Sequence, residues 1–241
     1  MGRHTAKQRL RLRPRPFAYL ALIGLAAALP WRPLTPVGVT AAAHGPLRIM
    51  PMGDSLTWGT GSRGGDGWRG PLYERLTAAG HHVDFVGPLR HGTGPDPDLA
   101  GYPGWRVDQL REQVPRLMAE HRPDIVLVHV GTNDLRRNDR LDTVAERLAA
   151  LVGEIRANRP RTTVVLARLA PATERTVQRR ITWYNNRITL LARQYDGAVA
   201  DMTALDPRAD LHDALHPNDH GYARMAARWA EAMAPALADR A

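Results

Sequence analysis

Short apolar runs alternate along this chain with longer stretches in which apolar residues recur at helical spacing. The short runs are residues 47–52, 83–87, 124–130, 162–167 and 197–202. They read as five β-strands. The run at 124–130 is almost unbroken, as a central parallel strand buried on both faces requires. Val107, Leu110, Val114, Leu117 and Met118 fall three and four apart, and Leu141, Val144, Ala145, Leu148, Leu151, Val152 and Ile155 repeat the pattern. Both series predict amphipathic helices. Pro115 interrupts the first and predicts a kink or a restart there. Helices are also expected through 73–79 with Gly80 as the stop, over 175–195, and through Tyr222, Met225, Ala226, Trp229 and Met233. Residues 59–70, rich in Gly and Ser, read as a mobile loop. Residues 90–104 contain HGTGPDPD and read as a long irregular loop.

Strands that alternate with helices predict a parallel sheet covered on both faces, in one domain without repeats. Ligands in such sheets bind beyond the carboxyl ends of the strands. Ser55, the Gly131-Thr132-Asn133-Asp134 stretch and the loop after Met202 all follow strands directly.

Charge changes this picture less than its total suggests. The formal net charge is +9, but residues 1–43 hold seven Lys or Arg and no acid, which leaves 26 basic and 24 acidic residues in the remainder. A nearly neutral body without a basic face interleaved with aromatics argues against nucleic acid as a partner. Residues 17–29 form an uncharged apolar run of thirteen behind a basic start. That is short of the roughly 20 residues that span a bilayer and suits a signal-peptide core. Ala41-Ala42-Ala43 offers small residues for cleavage. The expectation is a leader over 1–43, a single domain over 44–241, secretion, and no stable membrane insertion after cleavage. The chain has no cysteine, and its only lysine lies in the leader. Thiolate, disulfide and lysine-base chemistry are thereby set aside.

The serine at 55 stands where a strand turns sharply. A serine hydroxyl needs a base within hydrogen-bond reach. Asp213-Ala214-Leu215-His216 offers one: an acid three residues before a histidine can hold Nδ1 and leave Nε2 to take the serine proton. No G-x-S-x-G elbow is present. Acyl transfer also needs donors aimed at the developing oxyanion. Asn133 has a side-chain amide, and Gly104 and Ser55 have backbone N–H groups. Taken singly, each piece is ordinary turn chemistry. Their value lies in four pieces that share one predicted sheet edge.

Gly53-Asp54-Ser55-Leu56, Gly104, Gly131-Thr132-Asn133-Asp134 and Asp213-x-x-His216 together resemble the four blocks of the SGNH (GDSL-type) hydrolases, over essentially the whole chain after the leader. The resemblance implies a flavodoxin-like three-layer α/β/α sandwich around a central parallel five-stranded sheet. It also implies Ser55 as nucleophile, His216 as general base and then acid, Asp213 as its orienting partner, and an oxyanion hole of Ser55, Gly104 and Asn133. The phrases MGDSLTWG at 52–59, DGWRGPL at 66–72, GYPGWR at 101–106 and LHPN at 215–218 further resemble the acetylxylan-esterase-like branch, carbohydrate esterase family three.

The expected activity is hydrolysis of short acyl esters, acetyl above all, of carbohydrates, with no cofactor and no metal. Trp58, Trp68, Tyr102 and Trp105 are candidates to stack on a sugar; the alternative is that they pack loops onto the domain. Arg69 and Arg106 are candidates to meet a polar substrate. His212 and His220 flank the catalytic segment, but Asp213 is better spaced for His216. A lipase, lysophospholipase or thioesterase of the same superfamily is the nearest rival, yet the loops are rich in Gly, Pro, Asp and Arg rather than Leu or Phe. A non-catalytic carbohydrate-binding protein is the rival from another class, and four intact blocks speak against it.

Overall fold

The computed structural model describes residues 45–238. The basic leader, and with it the expected signal peptide and cleavage point, lies outside the described residues. Among the described residues no helix is long and apolar enough to cross a membrane.

The first strand, β1 (Leu47–Gly53), pairs along its length with β5 (Ile125–His129), which pairs with β6 (Thr163–Arg168), which pairs with β7 (Ala198–Asp201), all in parallel. The other edge of β1 is shared. Its first half takes β2 (Val83–Phe85) and its last two residues take β4 (Asp98–Gly101), both parallel. A short β3 (Leu89–Arg90) joins β4 antiparallel. The sheet therefore has seven strands, not the five expected. The two additional strands lie at the entry to the segment read as irregular (β3) and within it (β4). Pro95, Pro97 and the glycines around them hid a strand whose pairing is fixed by the register Leu89↔Leu99 and by β1, not by its own pattern.

Helices cover both faces. On one side lie α3 (Val107–His121), α4 (Thr132–Arg137), α5 (Val144–Asn158) and α6 (Arg175–Gln194), packed on Met50, Met52, Val126, Val128 and Leu166. On the other lie α1 (Ser55–Trp58), α2 (Arg69–Ala78) and α7 (Asp219–Ala238), packed on Ile49, Ile125, Leu127 and Val165. Alternate residues of β5 thus feed opposite cores, which is why that run is apolar throughout.

Of the kink or restart expected at Pro115, the restart does not occur: α3 runs through it as one helix. A mid-helix proline costs about 3 kcal/mol. Burial of Val114, Leu117 and Met118 on the sheet, each worth about 1.5–3 kcal/mol, outweighs that cost.

Candidate active site

Ser55 opens α1 immediately after β1. Gly53 makes this turn possible: a β-carbon there would stand 2.2 Å from the His129 carbonyl oxygen on β5. Asp54, fully buried, caps α1 by accepting the Leu56 N–H at 3.0 Å. Tyr102 N–H donates to Gly53 O at 3.0 Å, so the Gly101–Trp105 turn comes off β4 directly beside the serine. On the other side of β1, β5 delivers Thr132 and Asn133 to the same sheet edge. Asn133 Nδ2 donates to Trp105 O at 3.0 Å, tying the two donor segments together and leaving a second amide hydrogen uncommitted. Gly104 adopts φ +80°, a left-handed conformation that glycine takes without strain.

The histidine arrives from a loop before α7. Ser55 Oγ lies 2.9 Å from His216 Nε2, and His216 Nδ1 lies 2.8 Å from Asp213 Oδ2. Asp213 Oδ1 accepts the N–H groups of Leu215 and His216 at 2.8 and 2.7 Å. Partial burial alone would push the Asp213 carboxyl up, but the bonds from the His216 backbone and ring and from Leu215 hold it below the ordinary carboxylate range. An ionised Asp213 accepts from Nδ1–H, which leaves Nε2 as the acceptor for the serine hydroxyl. His220, set aside as the base because Asp213 is better spaced for His216, bonds buried Asp210 through Nδ1 at 2.7 Å.

A second tier of buried polar groups holds this arrangement, and sequence reasoning missed most of it. Asp134 is fully buried, takes a 2.7 Å bond from Arg147 Nη1 and accepts the Val107 N–H. Burial pushes the Asp54 carboxyl up to about 7; the Leu56 N–H opposes this and the nearby Asp134 charge adds to it. Arg69, a candidate to meet a polar substrate, is instead fully buried. Its guanidinium donates to the carbonyls of Thr57, Trp58, Gly65, His91 and Pro97 at 2.8–3.3 Å. It therefore knits the turn after Ser55 to the 91–97 segment. Burial lowers its pKa to about 10, with nearby Asp66 and Asp96 opposing, so it is charged at neutral pH. The loop read as mobile is in this way tied down from inside. Arg106 lies in an ion pair with Asp139 at 3.0 Å.

Trp68 is a correction to the sugar-stacking set. It is 0% exposed, with its ring centroid 5.1 Å from that of Trp229 in the core between α2 and α7. The helix starts at Arg69, earlier than expected, and turns Trp68 inward. Trp58, Tyr102 and Trp105 stay partly exposed, each with one face covered: Trp58 stacks on His91 at 3.8 Å, and Tyr102 stacks on Trp105 at 3.9 Å. Next to the histidine an open hollow of about 370 Å³ is lined by Arg136, Glu174, Val177, Leu215 and His216, among others.

A model of the GDSL-like lipase/acylhydrolase family matches residues 52–224. A family 3 carbohydrate esterase from Clostridium thermocellum is 30% identical, with a TM-score of 0.74 over 80% of this chain and 98% of that one. The fold is shared with a family 3 carbohydrate esterase from Talaromyces cellulolyticus, 24% identical, at a TM-score of 0.70 over 80% of this chain and 99% of that one. A multidomain esterase from Ruminococcus flavefaciens is 30% identical over 79% of this chain, which spans 29% of that protein's length. With its four sequence blocks gathered at one sheet edge, the chain belongs to the GDSL-like lipase/acylhydrolase family, in the branch that resembles the family 3 carbohydrate esterases.

Proposed function

We propose that the protein is a serine esterase that removes short acyl groups, acetyl foremost, from carbohydrates through an acyl-enzyme. The observation that carries this reading is the unbroken relay from Ser55 Oγ through the His216 ring to Asp213. Ser55 Oγ attacks the ester carbonyl as His216 Nε2 takes its proton. The carbonyl oxygen gains negative charge and accepts hydrogen bonds from the Ser55 N–H, the Gly104 N–H and the uncommitted Asn133 amide hydrogen. The Ser55 N–H is in the first turn of α1 and has no helical acceptor of its own. His216 then protonates the departing sugar oxygen. Water, deprotonated by His216, then attacks the acyl-enzyme; Ser55 Oγ leaves and takes that proton back from His216, and the acid is released.

A short acyl group suits the surroundings. The hollow beside His216 is open and carries Arg136 and Glu174 on its walls, which a long alkyl chain would have to desolvate. Trp58, Tyr102 and Trp105 offer their free faces to the sugar. Residues 1–43 act as a removable export leader, so that residues 44–241 work outside the cell as one domain. Sequencing the N-terminus of exported protein tests this, and a start upstream of Ala41 would sink it.

The decisive measurement is hydrolysis of an aryl acetate by Ser55→Ala. Turnover is expected to fall about a thousandfold or more, with the melting temperature within a few degrees of the parent's. Near-parental turnover in the purified variant would overturn the reading.

A further inference from the structure

Asp213 aims the His216 ring, but it cannot by itself set the distance from that ring to Ser55. The two residues lie three apart on one segment and travel together. That segment is a tight pinch: His212 N–H donates to His216 O at 2.8 Å, and Leu211 bridges Pro217. Were the pinch to shift as a body, the 2.8 Å bond between His216 and Asp213 would survive, and the 2.9 Å contact between His216 and Ser55 would open. Support from outside the segment is therefore required. Thr173 N–H, after β6, donates to Ala214 O at 3.0 Å and gives one such support. Another begins at the nucleophile itself.

The chain that leaves α1 folds back on Ser55 and then crosses to the histidine. Gly59 N–H and Thr60 N–H both donate to Ser55 O at 3.0 Å. Thr60 O in turn accepts the hydroxyl of Tyr222, a buried residue of α7, at 2.6 Å. Gly61 follows and lies against the pinch. A β-carbon there would stand 2.5 Å from Pro217 O, 3.2 Å from His212 Cβ and 3.3 Å from His216 Cβ. Its φ of +96° is one that residues with a side chain rarely adopt. Ser62 closes the turn: its Oγ donates to Gly59 O at 2.7 Å and accepts the Gly67 N–H at 3.0 Å. Arg63 ends the crossing on Asp219, the first residue of α7, whose two oxygens accept its backbone N–H at 2.9 Å and its Nε at 2.5 Å. The Arg63 side chain is 93% exposed, so the backbone bond carries this anchor more than the ion pair does. Residues 60–63 are thus bonded to the nucleophile at one end and to α7 at the other, with Gly61 against the base between them.

We propose that residues 60–63 form a strap that sets the separation of Ser55 and His216, with Gly61 as the positioning residue on which the His216 segment is seated. This rests on the serine-esterase reading and adds the element that keeps its two reacting side chains in register. The demand on such an element is strict, because a misplacement of about 1 Å between reacting groups costs about a hundredfold in rate. Asp213 governs which way the imidazole points; the strap governs how far it stands from the serine.

Gly61→Ala in the full chain tests this. The added methyl and the unfavourable φ are relieved when the strap and the pinch move apart. On an aryl acetate kcat is expected to fall about ten- to a hundredfold with KM nearly unchanged. A crystal structure of the variant should show Ser55 Oγ and His216 Nε2 beyond hydrogen-bond reach, with the bond between Asp213 and His216 intact. Gly80→Ala is the control for backbone strain alone: Gly80 has φ +88° and nothing within 4 Å of its β-carbon position, so that variant should keep the parental kcat. Tyr222→Phe keeps the ring and releases Thr60 O, and kcat should fall about fivefold, the equivalent of one hydrogen bond. If Gly61→Ala does not fold, Tyr222→Phe decides. Parental kcat in the deciding variant overturns the strap. So does an equal loss in Gly80→Ala, or a Gly61→Ala structure in which Ser55 and His216 still meet at 2.9 Å. The reading beneath is tested separately by Ser55→Ala. Near-parental turnover there removes the esterase assignment, while the Ser55–His216 separation in Gly61→Ala crystals still decides the strap.

Discussion

Ser55 and His216 meet at 2.9 Å, but opposite kinds of structure hold them there. The serine side is fixed from a distance and from within. Gly53 lets β1 and β5 close on each other, Arg69 gathers five carbonyls from three segments, and the Asp134–Arg147 pair braces the neighbouring α4. The histidine side is fixed locally and near the surface. Asp213 and His216 are three residues apart, and the Asp213 side chain is 49% exposed. A backstop for that loop is one bond from Thr173 N–H to Ala214 O, with a bridge between Leu211 and Pro217. The nucleophile is thus part of the core, whereas the base is part of a loop. Damage to the residues that hold Ser55 in place should therefore appear as lost stability, and damage to the residue that holds His216 as lost turnover.

The largest expected effect tests the first half of that statement. Arg69→Met keeps much of the volume and removes the donors, leaving five carbonyls short of partners in a site with little access to water. A loss of about 3–5 kcal/mol is expected, because removing a buried charged partner exposes the desolvation cost of the groups left behind. Urea denaturation of the two proteins measures it. A loss under about 1 kcal/mol would mean that the turn after Ser55 is held by something other than this guanidinium.

The legible parts of this molecule share one property: their signal lies within a few consecutive residues. The apolar run of β5 and the stripes of α3 and α5 are such signals, and so is the Asp213-x-x-His216 spacing. The unread parts depend on partners far away. β4 is a strand because β1 leaves room for it at Met52 and Gly53, which no feature of the 98–101 sequence announces. Arg69 and Trp68 stood as candidates for a substrate beside the alternative of packing, because an arginine and a tryptophan in a glycine-rich stretch carry no mark of the carbonyls or the Trp229 ring that await them. Arg147 sits on the otherwise apolar buried face of α5, where a charged residue at an inward position was the one available hint of an ion pair. At Pro115 packing carried the helix through where the local rule allowed a restart.

An intermediate effect separates charge from geometry on the serine side. The folded protein holds the Asp54 proton up to about pH 7, well above the usual carboxylate value of 3.8, chiefly because the group is buried. The folded state therefore binds this proton more tightly than the unfolded chain does. The associated stability is fully present below about pH 4 and is lost as pH rises towards 7. Asp54→Asn keeps an oxygen to cap Leu56 and has no proton to lose. Relative to the parent, the variant should gain stability across that window, on the order of a few kcal/mol by pH 8, and should gain nothing at pH 4. Melting curves at pH 4, 6 and 8 give the difference. A constant offset at all three would show that Asp54 is ionised throughout and that burial is not its main constraint.

The smallest effect on stability is expected at Asp213, and there the histidine side is put to its own test. The residue is half exposed, so Asp213→Asn should alter stability by less than about 1 kcal/mol. Turnover is another matter. Oδ1 accepts two backbone N–H groups, and Oδ2 accepts the Nδ1 proton of His216. An asparagine has one oxygen for these two sites. If the oxygen faces the backbone pair, the amide donates to Nδ1 and drives the imidazole proton to Nε2. That nitrogen then points a hydrogen at Ser55 and cannot accept one. If the amide faces the backbone, three donors collide and the loop must open. Either outcome removes the base, so kcat on an aryl acetate should fall by about 10²–10⁴. The loss should come with little change in KM, because Asp213 meets the substrate only through His216. Unchanged kcat in a folded variant would show that another group orients His216. Equal losses of stability and turnover would erase the contrast between the two sides of the site.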